Sequence, residues 1–270
     1  MATKRTRKQD DQTERICNLV PSTGTETDWR MEDAQAVGAL TAAARPASAD
    51  LREDWWEIGD QGGTGSCVGW ATGDGVMRYM LTMAGKLAPT QHVSTRYVWM
   101  ASKETDEFTT RPETFIERSG TSLKAAVTVC RDNGVVTDTM LPFTLNTTLY
   151  TGDETQFWAA ASQRRAASYF NLGLDLDKWR DAIAAGNPVL VGFTVDNTWR
   201  NAANTAGELK DYQPATANGG HAVCAVGYRA DGAIILRNSW GTTWGDDGFG
   251  YASPEYIVEG FFPEAYVVSL

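Results

Sequence analysis

Apolar residues follow two different rhythms along this chain. Between Ser66 and Pro188 they recur at helical spacing, and from Val189 onward they form short β-rich runs broken by turn residues. The first strong helical pattern starts at Ser66, a capping residue type. It puts Val68, Ala71, Val76, Tyr79, Met80 and Met83 on one face and ends near Gly85. GTSLKAAVTVCRDNG predicts a second helix, begun by Thr121 or Ser122 and stopped by Gly134, with Leu123, Val127 and Cys130 inward. DETQFWAAASQRRA reads as a third helix. DLDKWRDAIAAGNP reads as a fourth, with Leu176, Trp179 and Ile183 inward and an end between Gly186 and Pro188. A shorter helix is expected within Asp33 to Ala44.

The β-rich runs fall at 189–195, 221–228, 233–239, 248–252 and 265–270, with turns such as Ala230-Asp231-Gly232 between them. Helices first and strands later predict an α+β protein of two facing lobes. Residues 1–46 have weak periodicity and a Pro21-Ser22-Thr23-Gly24 break, and read as an N-terminal extension, partly disordered or strap-like. The body then spans 47–270, with an α lobe over 47–170 and a β lobe over 171–270. The polar stretch from Asn197 to Gly219 is expected to loop over the β lobe.

Composition narrows the class. With 270 residues and 42% hydrophobic content the chain can bury a real core. The formal net charge is −10, although Lys4, Arg5, Arg7 and Lys8 crowd the start. Such a body repels nucleic acid and anionic membrane, so neither is an expected partner. No apolar run of about 18 residues is present to cross a membrane. The start MATKRTRKQDDQTER turns polar and acidic where a secretory leader would be apolar, which predicts a cytoplasmic protein. There Cys17, Cys67, Cys130 and Cys224 are free thiols by default, and the Asn146-Thr147-Thr148 sequon carries no weight. Two histidines and four scattered cysteines show no ligand spacing, so neither metal nor cofactor is expected.

One stretch, DQGGTGSCVGWATGDGVMRYM, sets a thiol at the mouth of a helix behind a glycine-rich turn. A thiol with a pKa of about 8.5 is a modest nucleophile, and the positive end of a helix and a nearby imidazolium both lower that value. Cys67 is placed for the first. His221, in NGGHAVCAVGY, is the better of two histidines for the second, since His92 reads as a surface or capping residue. Asn238 ends the next strand in LRNSWGTTWGDDGFGY, where its amide can orient an imidazole, and Trp240 and Trp244 can shield the pair from water. Cys130 and Cys224 read as core, the tryptophans at 55, 56, 99, 158 and 179 as packing, and Asp246-Asp247-Gly248 as a turn.

These motifs resemble those of papain-like (cathepsin-type) cysteine peptidases, in the single-chain bacterial variety. Gln61-Gly62-Gly63-Thr64-Gly65-Ser66-Cys67 is similar to the family's nucleophile motif, with the glutamine six residues ahead of the cysteine. Gly219 to Val223 resembles its histidine strand, and Asn238 to Gly245 carries its Asn-Ser-Trp-Gly-x-x-Trp-Gly motif unbroken. The resemblance runs from about residue 46 to the end. It implies a papain-like two-lobe fold with the active-site cleft between the lobes, and a protein or peptide substrate. It also implies Cys67 as thiolate nucleophile, His221 as its imidazolium partner, Asn238 as orienter and Trp240 as cover. Gln61 and the Cys67 backbone N–H would form the oxyanion hole, and Gly120 would pair with substrate backbone. Val68 and Ala222 are further wall positions.

This chain also departs from the pattern. Val68 stands where an aromatic usually follows the nucleophile, Thr64 replaces a bridging cysteine, and 46 residues are too few for the long prosegment of secreted relatives. Three readings stay open beside hydrolysis. They are a deamidase or transglutaminase-like acyl transfer on the same triad, a peptide-binding protein without turnover, and an enzyme masked by residues 1–46 until a regulatory partner acts on them.

Overall fold

The computed structural model describes residues 14–40, 44–105, 118–144 and 152–270. After an extended start come α1 (Met31–Ala36) and β1 (Ala49–Asp50). One long helix follows in three stretches, α2 (Cys67–Gly69), a π-helical stretch (Trp70–Met77) and α3 (Arg78–Met83). Then come α4 (Thr95–Thr105), α5 (Leu123–Asp132) and α6 (Glu154–Ser162). The remainder is β2 (Ser168–Asn171), α7 (Leu176–Ala184), β3 (Val189–Thr194), α8 (Asn197–Arg200), β4 (Glu208–Leu209), β5 (Gly220–Tyr228), β6 (Ile234–Arg237), β7 (Phe249–Ala252), α9 (Pro254–Gly260) and β8 (Phe261–Ser269).

Local chemistry explains most helix boundaries. Ser122, Asp153, Asp175 and Ser253 each accept a backbone N–H at the start of α5, α6, α7 and α9. Gly134 and Gly186, both at positive φ, lie just past the ends of α5 and α7. The helix at Cys67 is the exception. Ser66 makes no capping bond there, and its hydroxyl pairs with that of Thr64 at 2.6 Å. The π winding that follows also breaks the expected stripe, so Met83 ends 58% exposed rather than inward. The helix expected at 33–44 is shorter and starts earlier, because Gly38 at φ 70° lies past its end.

The strands form one sheet in the order β2-β8-β3-β5-β6-β7-β4, with β1 added on β5. Every pairing is antiparallel except β4 with β7. β5 is buried along its whole length. Its residues alternate, Ala222, Cys224 and Val226 facing the core beneath the long helix, Val223 and Ala225 the core beneath α7 and α9. The long helix lies between α4 and β5. It is tied to β6 by a buried ionic cluster in which Asp74 meets Arg78 at 3.0 Å and Arg237 at 2.7 Å. Burial opposes a charge on Asp74, but Arg237 and Arg78 hold its carboxyl well below the usual range. Asn197 to Gly219 carries short helical turns and β4 rather than open loop.

Candidate active site

Cys67 opens the long helix, so its sulfur meets amides that no side chain caps. Burial is the larger influence on its thiol and disfavours the thiolate, while the backbone groups of Ala222, Val68 and Cys67 itself favour it. His221 is the second residue of β5. Its Nε2 lies 2.7 Å from Asn238 Oδ1, which also accepts the Ser239 N–H at 2.8 Å. A carbonyl oxygen only accepts, so Nε2 carries the proton and Nδ1 is the free base in the neutral ring. Nδ1 is buried without a hydrogen-bond partner among the described residues. The Trp240 ring stands 4.7 Å from the imidazole and the Trp199 ring 5.6 Å away, edge-on, which keeps water off the His–Asn bond.

Gln61 is fixed from both ends of its amide. Nε2 donates to the Thr64 carbonyl at 2.8 Å, and Oε1 accepts from Ser239 Oγ at 2.9 Å. The Gln61 N–H donates to the Ser239 carbonyl, so the turn before Cys67 is sewn to the residue after Asn238. Nε2 has a second hydrogen left to donate. Among the described residues, no cluster of His, Cys, Asp and Glu is arranged to hold a metal.

Cys67 and His221 are both fully buried, and the chain itself covers them. Residues 14–22 form a strap through the cleft. Arg15 pairs with Asp60 and donates to the Trp240 carbonyl. Asn18 donates to the Arg118 carbonyl, and any side chain at Gly120 would collide with the Asn18 carbonyl. Leu19 donates to the Gly220 carbonyl at 2.9 Å and is buried against Gly192, Gly220 and Phe262. Val20 donates to the Thr121 carbonyl at 3.1 Å, and Ser22 bonds the buried Glu264 carboxylate. Beyond it, Asp28 anchors the chain to Lys124 at 2.6 Å and Tyr266 at 2.8 Å.

Covering changes the electrostatics. Burial pushes the Cys67 thiol up to about 11 and the His221 imidazole down to about 4, with Arg15 adding to the second effect. Under the strap the pair is therefore thiol and neutral imidazole at pH 7. An uncovered imidazole returns toward about 6.5. Because the covered state has the depressed value, its stability is complete above that pH and is lost as pH falls toward 4. To the extent that the strap supplies the burial, a fall from pH 7 to pH 5 shifts the covering equilibrium toward open. The check is the labelling rate of Cys67 in the full chain, divided at each pH by that of a Leu19→Asp variant in which the strap is loosened. The ratio rises toward pH 5, and a flat ratio contradicts the linkage.

The structure brings Cys67, His221, Asn238, Gln61 and Trp240 into one site, and sets Gly120 against the strap rather than free. Val68 and Ala222 flank Cys67 as fully buried residues of the helical core. His92 lies at the surface, 3.8 Å from Asp74. The sequon at 146–148 and the basic cluster at 4–8 fall outside the described residues. Sequence reasoning missed the strap contacts of Arg15, Cys17, Asn18 and Leu19, for which the short apolar island ICNLV was the available signal. It also missed Ser239, which holds Gln61, and Trp199, which packs on His221.

A profile described as papain family cysteine protease matches residues 45–256. The chain is 27% identical over 224 residues to cathepsin B-like CP3 of Giardia intestinalis, covering 78% of this chain and 70% of that protein. Its fold is similar to that of xylellain, a cysteine protease from Xylella fastidiosa, with TM-score 0.75 and 22% identity over 100% of this chain and 99% of the other. It is also similar to procathepsin L 3 from the larval midgut of Tenebrio molitor, with TM-score 0.65 and 18% identity, over 98% of this chain and 77% of that one. The chain belongs to the papain family of cysteine proteases.

Proposed function

We propose that Cys67 is the nucleophile of this peptidase, that His221 is its base and acid, and that residues 14–22 hold the enzyme latent. The reading is carried by one observation: the Asn238 carbonyl fixes the proton on His221 Nε2 and leaves Nδ1 as the open base, on the strand whose Ala222 backbone favours the Cys67 thiolate. In the open cleft Nδ1 takes the thiol proton and the thiolate attacks the substrate carbonyl. The resulting oxyanion is met by Gln61 Nε2 and the Cys67 N–H. His221 then passes the proton to the leaving amine, and water, deprotonated by the same ring, splits the thioester.

Gln61→Ala is expected to lower kcat by on the order of 10²-fold while leaving the pH profile in place, since it removes one oxyanion donor and not the base. Stopped assays on a fluorogenic peptide read this, and an unchanged kcat removes Gln61 from the site.

The strap extends to both sides of Cys67, from Asp60 and Trp240 at one end to Gly220 and Thr121 at the other. A cleft that accepts an extended chain on both sides supports endopeptidase action. The enclosure of Leu19 by Gly192, Gly220 and Phe262 supports a preference for an apolar side chain there. Mass mapping of fragments from a denatured protein substrate tests both. Internal cuts beside apolar residues are expected, whereas trimming from one terminus overturns the endopeptidase reading.

A further inference from the structure

The strap carries a second thiol, Cys17, past the strand of His221 and the turn that leads into Cys67. Cys17 lies on Gly219, which sits at φ 87°. A side chain built on that glycine would collide with the Cys17 carbonyl and come within 3.4 Å of its Cβ. The next strap residue, Asn18, abuts Gly65, two residues before Cys67, and Leu19 is hydrogen-bonded to Gly220. The backbone of Ala222, two residues further along that strand, favours the Cys67 thiolate. The peptide around Cys17 thus touches both the turn that leads into Cys67 and the strand that carries His221. Into the same space faces His221, a buried ring whose Nδ1 has no partner among the described residues. Cys130 and Cys224, by contrast, are sealed in the core. All four cysteines are in the thiol form.

We propose that Cys17 is a redox latch: under peroxide it joins Cys67 in a disulfide that fastens the strap over the nucleophile and keeps the enzyme recoverable by thiols. This rests on Cys67 being the nucleophile. With the strap seated, burial holds Cys17 up to about 12 and Cys67 up to about 11, so neither is a ready thiolate. Oxidation therefore begins when the strap lifts. The Cys67 thiolate attacks one oxygen of hydrogen peroxide, the O–O bond breaks, and hydroxide leaves to become water, giving a sulfenic acid. As the strap returns, the Cys17 thiolate attacks the Cys67 sulfur, an S–S bond forms, and a second hydroxide leaves as water. Two thiols are oxidised and one peroxide is reduced to two waters. A tethered thiol meets that sulfur at high effective concentration, so capture outruns further oxidation to the sulfinic acid. Two thiol–disulfide exchanges with a dithiol reductant restore both cysteines.

The test treats the full chain with graded hydrogen peroxide, follows intact mass, maps peptides without reduction, and measures activity before and after dithiothreitol. The wild type is expected to lose two hydrogens, to yield a Cys17–Cys67 linked peptide, and to recover most of its own untreated activity. Cys17→Ser is expected to gain oxygens at Cys67 and to recover several-fold less. A Cys130→Ser/Cys224→Ser double variant should behave as wild type. Equal recovery with and without Cys17, or a disulfide that omits either partner, overturns the latch. A parallel sample of reduced protein is labelled with a peptidyl epoxide. Labelling of Cys67 there, with no latch on oxidation, rejects the latch alone, and absence of labelling in the folded Leu19→Asp variant rejects the nucleophile reading beneath it.

Discussion

Replacing Cys67 with alanine is expected to lower kcat/KM by on the order of 10⁴-fold or more while leaving the fold intact. The side chain is fully buried at the start of the long helix, within the helical core. Alanine keeps the backbone and the helix N-terminus, and removes only the sulfur. Of the other thiols, Cys130 and Cys224 are sealed in the core, and Cys17 rides on the strap and is expected to leave with it when substrate enters. The residual rate then comes from the oxyanion donors and binding alone. Adding His221→Ala to Cys67→Ala is expected to cost little more, since a base with no thiol to activate has no work to do. Hydrolysis of a fluorogenic peptide in a Leu19→Asp background reads this without interference from latency. Activity within ten-fold of the parent would move the nucleophile elsewhere.

Leu19→Asp in the full chain is expected to speed epoxide labelling of Cys67 by on the order of 10³-fold, until the open form dominates. The leucine is 5% exposed between Gly192, Gly220 and Phe262, and burying such a side chain is worth about 2–3 kcal/mol. An aspartate there forfeits that term and would also have to leave its carboxylate unpaired in an apolar pocket. The anchors beyond it, Ser22 on Glu264 and Asp28 on Lys124 and Tyr266, stay in place, so the change opens the cleft without unfolding α1. The variant's urea midpoint separates the two effects. A large fall in the midpoint with no gain in labelling would mean that the strap supports the fold and does not gate the cleft.

The candidate site was legible because each of its residues sits in a local motif. Cys67 follows a glycine-rich turn, His221 a glycine pair, and Asn238 a strand end, and the chain needs no distant information to mark them. Helices α5, α6 and α7 were legible for the same reason, their caps and stops lying within their own segments. What failed to show was non-local. Helix α4 buries Arg96 and Lys103 beside Tyr97 and Val98, so its polar positions do not mark a solvent face. Asp74, Arg78 and Arg237 look like surface charges until the lobes meet. The strap binds through backbone groups of Leu19 and Val20, and such hydrogen bonds leave no trace in residue type. Ser66, a capping residue by type, makes no cap bond and pairs its hydroxyl with that of Thr64 across the turn.

The most direct measurement is intact-mass and peptide-map analysis after brief exposure to an irreversible peptidyl epoxide, on wild type, Leu19→Asp, and Leu19→Asp carrying Cys67→Ala or His221→Ala. A single adduct on Cys67 is expected, slow in wild type and fast in Leu19→Asp. None is expected in Cys67→Ala, and the reaction in His221→Ala should be greatly slowed. An adduct on another cysteine, or a rate in His221→Ala equal to that of its parent, would contradict a Cys67–His221 pair held in reserve beneath the strap.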